Sequence, residues 1–169
     1  TNIVMVGRHA YLTTMFGIIK LNMARGEIDD TYNMGTQVND VLVEGNTIFA
    51  ATVKGLYRGN LNTNLMQPSA WTQLNTTPWM MVARLKSQLY AASDTYLCTI
   101  NEADGSSAVV WSPHMKKVQK TADRLLFYAY SPDVLIYTAD GHCTSQHIDN
   151  TYSWLYNATT NTWWVGSSK

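Results

Sequence analysis

Hydrophobic and polar residues alternate in short runs along the chain, and turn-forming residues separate these runs. Runs of about four to eight residues with this alternation are typical of half-buried β-strands. No segment shows a sustained helical apolar period. The nearest candidate, residues 80–89, is better interpreted as two strands joined by a turn at Lys86 and Ser87. The pattern therefore predicts an all-β protein.

One sequence feature, an aromatic or aliphatic pair followed by small residues, recurs five times. The copies lie at residues 11–14, 48–52, 89–93, 126–130 and 163–167. Counted from their last residues, the steps between them are 38, 41, 37 and 37 residues. A second feature, residues 17–22, returns at 55–60 and more weakly at 95–100 and 134–138. A period of about 40 residues with four strands per copy is typical of β-propeller blades.

The second copy shows the four strands most clearly, with strands predicted at 38–43, 47–52, 56–61 and 71–74. Gly45 and Asn46 suit a tight hairpin between the first two, because both tolerate positive φ. Ala50 and Ala51 are small enough for inner strands to approach one another around an axis. In the first and third copies we expect fourth strands near 27–33 and 108–111.

The sequence thus predicts one propeller region over residues 1–169, with blades at about 1–37, 38–77, 78–115 and 116–148. Residues 149–169 would supply only two strands of a fifth blade. The fold class is therefore an all-β, incomplete or open β-propeller. Because closed propellers protect their blade edges, we expect either a longer multi-blade protein or self-association through the open edge.

Composition excludes several functional classes. Hydrophobic residues make up 46% of the chain, enough for a substantial core. Twelve basic and twelve acidic residues give a formal net charge of zero, and no basic stripe indicates nucleic-acid binding. No apolar run has the length of a membrane span. Cys98 and Cys143 are too few for a disulfide framework, and the sequence leaves open whether they pair.

Candidate catalytic and metal-binding residues are sparse. His142, Cys143 and His147 are of metal-ligating types, but a zinc site normally takes four ligands from two segments, so surface positions are favoured. Residues 101–105 lack the remaining ligands of a calcium loop and predict a hairpin turn. We expect Asp29 and Asp30 to point to opposite faces of a solvated strand, since neighbours on a strand alternate. No catalytic, cofactor-binding or metal-binding residue is predicted, and no enzyme activity.

The tryptophans are the best candidates for an interaction surface. Most of the six fall at repeated positions, which favours packing between blades over a surface for stacking sugars. Four residues are the better candidates for an exposed patch: Trp79 and Met80, which follow Pro78, and the pair Trp163 and Trp164. An exposed apolar patch marks an interface.

Two segments resemble the propeller of PorZ-like proteins of the Bacteroidetes. The first, residues 10–32, contains Gly17-Ile18 and the run Glu27-Ile28-Asp29-Asp30-Thr31-Tyr32. The second, residues 48–71, contains Asn64-Leu65 and Pro68-Ser69-Ala70-Trp71. The resemblance is specific over roughly residues 1–75, and the rest of the chain resembles propeller blades in general.

This resemblance implies an exported, non-catalytic assembly module of the type IX secretion system, in the periplasm or at the outer membrane or cell surface. Its partners would be other secretion or cell-envelope proteins, with a surface glycan as a further candidate. An alternative is the periplasmic sensor propeller of hybrid two-component regulators, whose blades share the turn at residues 52–56. A third hypothesis, a glycan-active enzyme, requires converging carboxylates that the sequence does not supply.

Overall fold

The computed structural model describes residues 2–112, 115–121, 123–129, 133–147, 151–157 and 159–167. These residues form five antiparallel sheets, which we call blades 1 to 5. Blade 1 contains β1 (Ile3–Val6), β2 (His9–Thr13), β3 (Gly17–Asn22) and β4 (Glu27–Asn33). Blade 2 contains β5 (Val38–Glu44), β6 (Thr47–Thr52), β7 (Gly55–Asn60) and β8 (Thr72–Asn75).

The later blades follow the same order. Blade 3 contains β9 (Met81–Leu85), β10 (Gln88–Ala92), β11 (Leu97–Ile100) and β12 (Ser107–Trp111). Blade 4 contains β13 (Met115–Lys120), β14 (Arg124–Ala129), β15 (Asp133–Thr138) and β16 (Cys143–His147). Blade 5 contains β17 (Thr151–Asn157) and β18 (Thr162–Ser167). The predicted all-β fold, with four four-stranded blades and two strands of a fifth, is confirmed.

Each sheet is a simple meander, because every strand pairs with the next one along the chain. Tight turns make this possible. Gly45 has a φ of 56°, and Lys86 reaches a φ of 52° in the turn that was predicted between β9 and β10. In blade 2 the fourth strand starts at Thr72 rather than at Trp71, because a short 3₁₀ turn, Pro68–Ala70, ends there.

The hydrophobic core lies between successive blades. We call the side of a blade that meets the next blade its forward face, and the opposite side its rear face. In β6, Ile48 and Ala50 lie on the rear face and pack towards blade 1, whereas Phe49 and Ala51 lie on the forward face and pack towards blade 3. Both alanines are fully buried, as their predicted role in close approach requires.

The two sequence steps of 37 residues equate positions in blades 3, 4 and 5 that are not structurally equivalent. A step of 37 equates Tyr90 with Phe127, yet both side chains belong to the core between blades 3 and 4, so they point towards each other. The next step equates Leu126 with Trp163, which face each other between blades 4 and 5. Because side chains alternate along a strand, an error of one residue reverses the assigned face. Structurally equivalent positions therefore lie one residue away from those that the pattern suggested.

The first strands of blades 1, 2 and 3 lie side by side around the propeller axis. Strand β1 lies against β5, and β5 lies against β9. This arrangement brings polar residues from four blades together near the axis.

Candidate interaction sites

Asp40 is the centre of the polar cluster near the axis. It lies at an irregularity in the pairing of β5 with β6, and its side chain is only 3% exposed. One carboxylate oxygen accepts a hydrogen bond from Asn2 Nδ2 at 2.9 Å. The other accepts one from the backbone N–H of Val82 at 3.0 Å and an ion pair from Lys120 Nζ at 2.6 Å. The carboxylate therefore links residues of blades 1, 2, 3 and 4.

Lys120 makes the longest connection in this cluster. Its ammonium group also donates to the backbone carbonyls of Val41 (3.2 Å) and Val82 (3.1 Å). All three of its donors are thus matched by acceptors. The residue lines a cleft of about 340 Å³ together with residues of β1, β5 and β9. Because the charges are satisfied within the chain, we interpret the cluster as a structural link rather than as a catalytic centre.

Arg84 forms a second polar cluster, between blades 2 and 3. Its guanidinium group donates to the carboxylates of Glu44 and Glu102, each at 2.7 Å, and lies over the Phe49 ring. Desolvation alone would lower the pKa of Arg84, but the hydrogen bonds that it donates to the two carboxylates raise it. The cation is therefore held in its charged form as a bridge between blades.

Trp79 is buried, so the prediction that it belongs to an exposed patch is wrong. Only 2% of the residue is exposed, and it belongs to the core between blades 2 and 3. Its indole Nε1 donates to Asn75 Oδ1 at 2.8 Å, and its carbonyl accepts from Asn39 Nδ2 at 2.7 Å. The neighbouring Met80 is 38% exposed. Of Trp79 and Met80, only Met80 thus lies at the surface.

Of the two predicted patch residues in blade 5, Trp163 lies in the core and Trp164 lies at the surface. Trp163 is partly buried and packs against Tyr156, with ring centroids 4.8 Å apart. Trp164 is 65% exposed and lies opposite Leu155, which is also exposed. Trp164 and Met80 are therefore the predicted patch residues that a partner could reach, and their role in binding stays a prediction.

The paired carboxylates of β4 lie on one face, contrary to the expectation. An irregularity between Lys20 and Leu21 in the pairing of β3 with β4 removes the simple alternation. Asp29 accepts from Arg25 at 2.6 Å and from His9 at 2.9 Å, whereas Asp30 lies 3.9 Å from Lys20. Desolvation opposes ionisation of Asp29, but the bonds from Arg25 and His9 lower its pKa. Each carboxylate thus has a cationic neighbour, which favours salt bridging over proton transfer.

Other predicted features lie at the surface. His142, Cys143 and His147 are all exposed, the latter two on β16. Within the described residues no group of three His, Cys, Asp or Glu side chains could hold a metal ion. Cys98 is buried in blade 3, Cys143 is exposed, and both are free thiols. In the same part of the chain, no helix has the length and hydrophobicity needed to cross a membrane.

The sequence of residues 1–72 matches the family model of the N-terminal β-propeller domain of PorZ, of the type IX secretion system. The resemblance inferred from the motifs of the first two blades is thereby confirmed for that part of the chain. No curated protein matches the chain.

Solved structures show the same fold over most of the chain. PorZ of Porphyromonas gingivalis, described as an essential bacterial surface component of the type IX secretion system, has 21% identity and a TM-score of 0.75. The extracellular domain of BT4673 from B. thetaiotaomicron, assigned to a hybrid two-component system, has 16% identity and a TM-score of 0.67. The computationally designed protein Ika8 has 7% identity and a TM-score of 0.61.

These matches cover unequal shares of the chains. They include 90%, 94% and 93% of this chain, but 21% of PorZ, 24% of the BT4673 domain and 52% of Ika8. The chain therefore spans less than a quarter of the two bacterial structures. At these identities the likeness establishes the propeller fold.

Proposed function

Starting from the match of residues 1–72 to the PorZ propeller domain, we propose that the chain is a non-catalytic protein-binding module of a type IX secretion assembly. It would be an exported component of the cell envelope, in the periplasm or at the outer membrane or cell surface. Its partners would be other secretion or envelope proteins, and a surface glycan is a further candidate ligand. The family match is the observation that carries this proposal.

The distribution of polar groups supports a binding role. Asp40, Arg84 and Asp29 each form an ion pair within the chain. Apolar side chains, by contrast, are exposed in several blades, including Met5 in blade 1, Val109 in blade 3 and Trp164 in blade 5. Exposed apolar surface of this kind is typical of protein interfaces.

Proximity labelling in the organism that encodes the chain tests this role. The protein that contains the chain is fused to a biotin ligase that is active in the envelope, and labelled neighbours are identified by mass spectrometry. We expect components of the type IX secretion machinery among them, and recovery of the fusion in envelope fractions. Labelling of cytoplasmic proteins alone would contradict the proposal.

A sensor propeller of a hybrid two-component system is the second candidate. The BT4673 extracellular domain supports it, because the fold likeness extends over 94% of this chain. A sensor would bind a small ligand. Thermal unfolding in the presence of a panel of small non-carbohydrate metabolites, such as amino acids and nucleosides, distinguishes the two, since a ligand that binds the folded state raises the midpoint. A concentration-dependent rise would favour the sensor over the secretion role.

A further inference from the structure

The turns between the second and third strands of blades 1, 2 and 3 share one construction. Each begins with a hydroxyl residue, whose side-chain oxygen accepts a hydrogen bond from the backbone N–H two positions later. These residues are Thr14, Thr52 and Ser93. Because the strands of a blade alternate in direction, these turns lie on the same side of the propeller as the connections between blades. We call this side the turn surface; it consists of residues 14–17, 34–37, 52–55, 76–80 and 93–96.

Backbone hydrogen bonds join each turn to the neighbouring connection. They are Met34 N–H to the carbonyl of Phe16 (3.0 Å), Val53 N–H to Gln37 (3.2 Å), Trp79 N–H to Thr52 (2.9 Å) and Met80 N–H to Ala92 (2.8 Å). The turn surface is therefore continuous over three blades in the middle of the chain. Its turns are also fixed in advance, which reduces the entropy lost when a partner binds.

Exposed apolar side chains concentrate on the turn surface. Among the described residues, seven large hydrophobic side chains are exposed outside the strands, and five of them lie here. The five are Met15 (74%), Phe16 (45%), Val53 (43%), Met80 (38%) and Tyr96 (49%). The bonds that shape the turns involve backbone groups and hydroxyls, so the turns themselves do not require apolar residues at these positions. A concentration of exposed apolar residues marks an interface.

The turn surface also carries little charge. Its segments contain two charged residues of opposite sign, Lys54 and Asp94. In the same three blades, the turns on the opposite surface contain five: Arg8, Arg25, Lys86, Glu102 and Asp104. Because charged residues are depleted from the centres of protein interfaces, this difference favours an apolar protein partner over a polyanion.

The size of the turn surface and its backbone bonds indicate the form of that partner. Packed sheets lie about 10 Å apart, so three turns extend over roughly 20 Å, the length of an α-helix of about 14 residues. The backbone groups that join the turns are already bonded within the chain, so they do not offer a strand edge to an extended peptide. A helix satisfies its own backbone and needs only side-chain contacts. The flexible side chains of Met15 and Met80 can adapt to such contacts.

We infer that the turn surface binds the apolar face of an amphipathic α-helix from another protein. The turns that carry Phe16, Val53 and Tyr96 follow one another at about 10 Å, which corresponds to about seven residues of a helix. The partner helix therefore presents apolar residues at intervals of about seven positions, with others three or four positions away on the same face. This inference rests on the proposed binding role and specifies the surface and the kind of partner.

Site-specific photocrosslinking in intact cells tests the contact. The protein that contains the chain carries p-benzoylphenylalanine in place of Phe16 or Tyr96, and the crosslinked peptides are sequenced by mass spectrometry. Met23 and Met66 are the control positions, because they are exposed by 54% and 56% on the opposite surface. We expect positions 16 and 96 to crosslink to one segment of another protein, with apolar residues at helical spacing, and the control positions not to reach that segment.

A synthetic peptide of the crosslinked segment then provides the quantitative test. Fluorescence anisotropy measures its binding to the protein, and circular dichroism measures its helicity. Met15→Ser and Phe16→Ser should each weaken binding by at least about tenfold, because they remove apolar contacts from the centre of the interface. Met23→Ser is the matched control and should leave the affinity unchanged. All three side chains are exposed, so the variants should retain the fold, which circular dichroism verifies.

Several results would overturn the inference. They are crosslinks from positions 16 and 96 only within the protein's own chain or to a glycan, a crosslinked segment without a helical apolar period, and unchanged affinity in both serine variants. Crosslinks to envelope proteins from positions 23 and 66 only would refute this surface but leave the proposed binding role intact. No protein crosslink at any of the four positions would contradict both.

Discussion

Replacing Asp40 with alanine should destabilise the fold far more than removing an ordinary surface carboxylate. The change leaves Lys120 Nζ without its ion-pair partner and removes the acceptor of the Asn2 side chain and of the Val82 N–H. Asp40 is almost fully buried, whereas the Lys120 side chain keeps 24% exposure and two carbonyl partners.

The magnitude follows from these contacts. Breaking a buried ion pair by removing one partner typically costs about 3 to 5 kcal/mol. Partial hydration of Lys120 places the expectation at the lower end, about 3 kcal/mol. For a chain of this size, that loss corresponds to a fall in Tm of roughly 6 to 12 °C.

Guanidinium denaturation followed by tryptophan fluorescence measures the change, with thermal unfolding as a second readout. Asp123→Ala is the matched control, because Asp123 pairs with Arg124 at 2.6 Å but is 59% exposed. The control should change the free energy of unfolding by less than about 1 kcal/mol. If Asp40→Ala matched the control, the cluster near the axis would not hold the blades together.

Two further predictions concern a glycine and a tyrosine. Gly105→Ala should lower the free energy of unfolding by at least about 2 kcal/mol, because the residue has a φ of 73° and an added Cβ would lie 1.8 Å from the carbonyl oxygen of Leu74. Chemical denaturation checks this against Gly26→Ala, where φ is also positive but nothing lies within 4 Å of the added atom, so the loss should be clearly smaller. Burial and a hydrogen bond to Tyr90 raise the pKa of Tyr137 from 10.0 to about 12. The neutral phenol therefore stabilises the folded state fully below pH 10, and this stabilisation is lost as the pH rises to 12. Unfolding across this range should show that loss, with a shallower pH dependence in Tyr137→Phe; an unchanged dependence would contradict the assignment.

Much of the architecture was predictable because it depends on local pattern. Alternating residues and glycine turns define each strand, so the strand at Glu27–Asn33 agrees with the prediction and the one at Thr72–Asn75 is shifted by one residue from the predicted 71–74. The face of the sheet on which each side chain lies was harder to predict in blades 3 to 5. There a one-residue error in the repeat, as between Tyr90 and Phe127, is enough to reverse a face.

The candidate sites depend on long-range contacts, which sequence periodicity does not contain. Lys120 meets Asp40 across 80 positions of the chain, and nothing near either residue indicates the other. Trp79 precedes β9 in a segment without a strand pattern, which suggested exposure, yet it fills the space between two blades. The sequence contained one indication that Trp79 is buried. A tryptophan can be buried if its indole N–H finds an acceptor, and Asn75, four positions earlier in the chain, supplies one.

The central claim is that this chain forms a series of β-propeller blades that pack face to face and bury the side chains between them. Hydroxyl-radical footprinting tests it directly, because methionine and tryptophan are readily oxidised where exposed. We predict rapid oxidation of the exposed Met66 and slow oxidation of the buried Met81 and Trp79. Oxidation of Met81 and Trp79 as rapid as that of Met66 would contradict the account.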